Sequence, residues 1–265
     1  MNALRQAHSP TALALTCDLR WHARSDALTW NLMAAIAEPA LLGLKPSLGL
    51  GDAFGLAGPG HAAAMKGSDF GFFPALETLR DMTLLQRTPE AVIQAARDGV
   101  AAEKYSRVWG ADANGLSSEE DIKLCAAAGY TYFTLSLSEC VNSDVDNLSD
   151  EDLTAAAEEL VQKNQWNPDW DKRYQGRNWN IHEGLRLTLE EDVLQRAAVK
   201  FAPVLAKVKK FMACLSRQCA QRPFEVELDL HNMSAPLTPA EHLFLAQELK
   251  RQGTILVSLA PTLPL

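Results

Sequence analysis

Apolar residues recur along this chain in two rhythms, alternation in short runs and three-to-four spacing in longer ones, which separate strands from helices. Leu48 and Leu50 alternate within 47–52, predicting a short buried strand. Helices are predicted over 74–86 and over 88–102, the second opened by Thr88, Pro89 and Glu90 as N-cap, first-turn proline and acid. RVWGAD at 107–112 reads as a strand that ends on an acid. Ser117 to Glu120 then starts a helix that Gly129 stops. The pattern repeats with a strand over 130–138, a helix over 149–163, a long helix over 190–221 bent near Pro203, and FEVELDL at 224–230. A capped helix over 238–253 and the apolar run TILVSLA at 254–260 complete it.

Strands alternating with helices predict a parallel sheet with helical crossovers. The expected fold is α/β: a TIM-barrel-like parallel sheet with outer helices, incomplete at about five or six β–α units, short of the eight that close a barrel. The expected organisation is an N-terminal segment over 1–46 of unassigned structure, then a partial barrel domain over 47–265. Within 1–46, 11–17 has strand character and 27–42 helix-like spacing, while Trp21, His22 and Trp30 read as packing residues. Residues 164–180 break the rhythm as an irregular insertion with Trp166, Trp170 and Trp179, whose expected role is packing. Strand 254–260 is apolar on both faces with only 261–265 after it, which predicts an unpaired edge and a homo-oligomer or partner across it.

Composition narrows the function. The 265 residues are 47% hydrophobic and carry a formal net charge of −8, which argues against a nucleic-acid partner. No window approaches a membrane span, and five cysteines without a CxxC pair fit reduced thiols, so a cytoplasmic protein is expected. Candidate chemistry gathers first at 47–67, where glycines flank Asp52 and His61 at a strand's carboxyl end, the place where α/β folds bind ligands. The competing reading makes the glycines turns and His61 a hydrogen-bonded structural residue. There is no GxSxG, Walker or HExxH motif, and the GxGxxxG at 49–55 lacks dinucleotide spacing. A phosphosugar-binding barrel stays open as an alternative, because glycine loops and helix amino termini cradle anions.

GLGDAFGLAGPGH at 49–61, RTPEAV at 87–92, WGADA at 109–113, AAAGYTYFTLS at 126–136, RAAVKF at 196–201, RPFEVEL at 222–228 and TPAEHLFLAQELKRQGTILVSLAP at 238–261 together resemble the tagaturonate epimerase family. The resemblance implies a barrel-like α/β fold, interconversion of the keto-hexuronates tagaturonate and fructuronate, and a divalent metal (Ni, Zn or Mn) in an active member. It also implies substrate contacts at Gly51, Asp52, His61 and Trp109 and an acid/base site at Asp112. The family pattern continues WGADA with Asp-His, where this chain has Asn114 and Gly115, and places an Asp-Glu pair where it has His231 and Asn232. Asn114 and Asn232 thus stand at the catalytic positions as amides, and Ser136 replaces a family Asp. No metal ligand is assigned; His231 with Asp229 or Asp112 is the nearest constellation, and a hydrogen-bonded pair is its commoner meaning. The resemblance implies a truncated, degenerate relative with impaired or lost catalysis. The alternatives are a pseudoenzyme binding a sugar acid or a partner subunit, and a reading frame broken near Thr262.

Overall fold

A computed structural model describes residues 38–181, 184 and 186–263. The strand expected over 11–17, the part of the helix expected over 27–42 that precedes residue 38, and Trp21, His22 and Trp30 lie outside them. The parallel strands are β1 (Ser47–Gly49), β2 (Gly71–Phe73), β3 (Ala75–Thr78), β4 (Ala111–Leu116), β5 (Tyr132–Ser136), β8 (Glu225–Leu230) and β9 (Ser258–Pro261). An antiparallel hairpin pairs β6 (Asn178–Asn180) with β7 (Arg186–Thr188). The helices are α1 (Gly58–Met65), α2 (Leu79–Leu84), α3 (Pro89–Ala102), α4 (Glu119–Ala128), α5 (Asp150–Gln162), α6 (Glu191–Gln218) and α7 (Pro239–Arg251).

Strands β3, β4, β5, β8 and β9 form a five-stranded parallel sheet in chain order, and β1 pairs in parallel with β2. β2 and β3 lie either side of Pro74, which cannot donate to a ladder. Both bond to the chain at β4, because the Gly110 amide donates to Phe72 O (2.8 Å) and β3 registers Ala75 with Ala111. The strands therefore follow one another as in a β/α barrel, and no closed barrel forms among the described residues. No described helix is long and apolar enough to cross a membrane.

The helix starts match their sequence signals. Thr88 and Ser149 cap α3 and α5, and reciprocal capping boxes open α4 (Ser118 with Asp121) and α7 (Thr238 with Glu241). The 28-residue α6 continues through Pro203 and buries an apolar stripe that includes Phe201, Val204, Val208 and Phe211.

Several expected boundaries move. The helix expected over 74–86 is a strand to Thr78 and a helix only from Leu79 to Leu84. Pairing with β4 overrides the helical preference of Ala, Leu and Glu, and Thr78 then caps α2 by accepting from the Asp81 amide (3.0 Å). The strand expected to end at Asp112 begins at Ala111 and runs to Leu116, with a register shift against β5 that absorbs Asn114 and Gly115. The strand over 47–52 is shorter and less buried than expected, with Leu48 43% exposed. The last strand starts at Ser258 instead of 254. Residues 38–46 are not helical. They cross the amino end of the sheet, where the Ala40 amide donates to Trp109 O (2.8 Å) and those of Leu42 and Gly43 to the Glu225 carboxylate (3.2 and 2.6 Å).

Within the insertion Trp166 and Trp170 are buried and pack on Phe244 of α7, with ring centroids 5.8 and 6.4 Å away. Helices α1 and α3 meet at glycine on glycine: a Cβ on Gly99 would sit 2.7 Å from the Gly58 carbonyl carbon, and rigid backbone must give. Gly99→Ala is expected to destabilise the protein by about 1–3 kcal/mol by overpacking, against a helix-propensity gain of about 1 kcal/mol. The urea midpoint measures this.

Candidate functional site

Strand alternation divides the sheet into two faces. One face, with Ala113, Phe133, Leu135, Val226 and Leu228, is buried in the main core. On the other, register aligns Leu76, Asp112, Tyr132 and Glu225 across β3, β4, β5 and β8, then Thr134, Glu227 and Ser258, then Ser136, Asp229 and Ala260. The amino end of this inner face is an apolar floor of Leu42, Phe73 and Tyr132, with Leu76 and Val257 packed on it. Toward the carboxyl ends it becomes hydroxyls and carboxylates.

These polar groups are paired side to side. Thr134 Oγ1 donates to Asp112 Oδ1 (2.8 Å), Tyr132 Oη to Glu227 Oε2 (3.1 Å) and Ser136 Oγ to Asp229 Oδ2 (2.8 Å). Asp112 is 6% exposed. Burial pushes its carboxyl up to about 7; the Thr134 hydroxyl opposes that and the neighbouring Glu227 charge adds to it. A carboxyl that shares its proton near neutrality is suited to proton transfer.

Asn114 and Asn232 lie on either side of β5 at the rim, the first near the carboxyl end of β4 and the second just past β8. The Asn232 amide donates to Ser138 Oγ (3.1 Å). Gly115 has φ +78°, a conformation open to glycine and strained for other residues, so a histidine in its place would require the bulge to change shape.

The remaining sequence candidates lie elsewhere. The carboxylate of Asp52 accepts the Phe54 amide (3.1 Å) and that of Ala57, and its own amide donates to Glu77 Oε1. Burial raises its pKa, but the amides of Ala57, Phe54, Leu56 and Gly55 outweigh it and hold the group below the usual carboxylate range. Arg87 ties down the same loop by donating to Asp52 O (3.1 Å) and Ala53 O (2.8 Å). His61 lines a narrow cleft with Asp52, Glu77 and Arg87. Gly51 passes so close to the Leu76 carbonyl that any Cβ there would overlap it. This group builds the loop at the end of β1 and joins neither Asp112 nor the two asparagines. Trp109 is fully buried in the core before β4 begins, at the opposite end of the sheet from the rim.

Metal ligation was tested against the same geometry. Among the described residues no group of three or more His, Cys, Asp and Glu side chains is placed to hold a metal ion. Asp229 already accepts from Ser136 Oγ, from the His231 amide (3.0 Å) and from His231 Nδ1, so this pair is a hydrogen-bonded cluster. Asp112 is occupied by Thr134 instead of joining it. Among the described residues, Asp112, Asp229 and His231 therefore do not form a metal centre.

The pattern Glu225, Glu227, Asp229 is visible in the sequence. What it leaves open is which way the alternating acids point, and so it does not single out Glu227, Thr134 or Tyr132.

A family model described as UxaE, tagaturonate epimerase, matches residues 9–264, nearly the whole chain. The chain belongs to the tagaturonate epimerase family. It is 31% identical over 225 residues to the tagaturonate/fructuronate epimerase of Thermotoga maritima, covering 84% of this chain and 45% of that protein. The fructuronate-tagaturonate epimerase UxaE from Cohnella laeviribosi, in a one-glycerol complex, superposes with a TM-score of 0.80 at 25% identity, covering 89% of this chain and 47% of that one. Its native structure gives a TM-score of 0.75 at 26% identity, covering 86% and 46%. The chain spans about half the length of the tagaturonate epimerase relatives it matches. The superposition supports the barrel-like arrangement of the open sheet.

Proposed function

We propose that this chain binds a keto-hexuronate at the carboxyl-end rim of the inner sheet face, and that its epimerisation of tagaturonate and fructuronate is impaired or lost. The observation that carries this is the placing of Asn114 at the rim and Asp112 beneath it, buried and bonded to Thr134. Inverting a stereocentre that is not adjacent to the ketone requires proton transfers on opposite sides of the reacting carbons. An asparagine amide takes up no proton near neutrality, whereas the Ser136 hydroxyl and the two amides suit the hydroxyls of a sugar acid. The carboxylate one layer down holds a proton near pH 7 but is shielded from a ligand on the rim.

Calorimetric titration with tagaturonate, paired with proton NMR of tagaturonate–fructuronate interconversion in the presence of Ni, Zn or Mn, tests both parts. Saturable binding without interconversion is expected. Interconversion at an enzymatic rate would overturn the loss of catalysis, and absence of binding would remove the sugar acid.

A second reading is favoured by β9, whose outer edge is paired with no strand among the described residues, close to an Ile255 that is 81% exposed. On this reading the edge takes a partner subunit or a second copy. Sedimentation at micromolar concentration would show an oligomer; a monomer removes this reading.

A further inference from the structure

Four cations, Arg173, Arg177, Lys250 and Arg251, line a cavity of about 270 Å³ between the insertion and the second half of α7. One carboxylate, Glu248, lines it too, in a chain whose net charge is −8. Glu248 is fully buried and already satisfied, by Tyr174 Oη (2.6 Å), Arg173 (2.8 Å) and Arg251 Nε (2.7 Å). Its single charge is answered by Arg173 and Arg251, which leaves Arg177 and Lys250 as surplus. Both are exposed, and neither side chain has a hydrogen bond or ion pair among the described residues.

Two further donors on the same walls are without partners among the described residues: Arg173 Nε and Trp179 Nε1 are buried N–H groups with no acceptor there. Buried donors are rarely left unpaired, because each loses its hydrogen bond to water on folding. Surplus positive charge and unsatisfied N–H groups share one need, an acceptor carrying negative charge.

We propose that this cavity binds a small oxyanion, the carboxylate or phosphate group of a metabolite, held by Arg177 and Lys250 with Arg173 and Trp179 donating from the wall. Guanidinium and ammonium groups bind such oxygens through charge-assisted hydrogen bonds. The site is separate from the inner sheet face and stands independently of the sugar-acid reading.

The test is titration of the ¹⁵N-labelled chain with sodium phosphate and, separately, sodium malonate at constant ionic strength, following the Trp179 indole N–H resonance assigned through Trp179→Phe. A saturable shift with at least one of the two is expected, and the anion that produces it identifies the ligand group. In the Arg177→Ala/Lys250→Ala double variant the affinity falls about tenfold or more, as expected when charge-assisted hydrogen bonds are lost. The unfolding midpoint of that variant stays put, because both side chains are exposed and outside the Glu248 network. No saturable shift with either anion, an equal shift with sodium chloride, or unchanged affinity in the double variant would each overturn the proposal, the last two marking an adventitious ion only.

Discussion

Lys200→Met is expected to lower the free energy of unfolding by about 3 kcal/mol, near the lower end of what breaking a buried ion pair costs. Lys200 lies on α6 with its side chain only 4% exposed, and its ammonium reaches Asp146 Oδ2 (2.9 Å) and Glu241 Oε1 (2.8 Å). Those carboxylates belong to the turn Ser143–Asn147 and to the first turn of α7, so one charge joins that turn to two helices. Burial alone would lower the pKa of Lys200, but the hydrogen bonds it donates to Glu241 and Asp146 outweigh that and raise it, keeping the ammonium charged.

Methionine conserves much of the volume and leaves a largely buried Glu241 without its cation. The lower end of the range applies because Asp146 is 40% exposed and rehydrates. Urea unfolding measures the loss, and adding Glu241→Gln to the variant should recover part of it. A loss below about 1 kcal/mol would place this cluster with exposed pairs such as Lys163–Glu159.

Local signals in the sequence located the helices well, because their causes are local. Ser118 with Asp121 and Thr238 with Glu241 are reciprocal caps that need only a few residues to recognise and to form. Strand β3 was hidden because its stability comes from pairing with β4, which a helix-favouring Ala-Leu-Glu run conceals. Asn114-Gly115 has turn composition yet sits inside a strand, where the positive φ of Gly115 makes a bulge. In the glycine loop around Asp52, the carboxylate itself accepts the amides of Phe54 and Ala57, which sequence alone does not disclose. The acids of β8 could be counted in the sequence, whereas the face they line depends on Leu42 and Phe73 closing the floor.

Asp112→Asn is expected to stabilise the protein at alkaline pH and to do little at acid pH. The sign follows from the raised pKa: between the ordinary value of 3.8 and about 7 the folded state holds a proton that the unfolded state has released. Folding stability therefore falls as pH rises through that window and levels off above it. A displacement of about 3 units corresponds to about 4 kcal/mol in the limit, at about 1.4 kcal/mol per unit. Asparagine removes the charge that burial and Glu227 disfavour, while its amide oxygen still accepts the Thr134 hydroxyl. Urea titrations of parent and variant at pH 4 and pH 8 measure the difference, in which ionisations common to both cancel. An advantage for the variant of a few kcal/mol at pH 8 that vanishes at pH 4 is the expected pattern. An equal difference at both values would mean that Asp112 ionises as a free carboxylate does, and the inner face would then lose a buried carboxyl suited to proton transfer near neutrality.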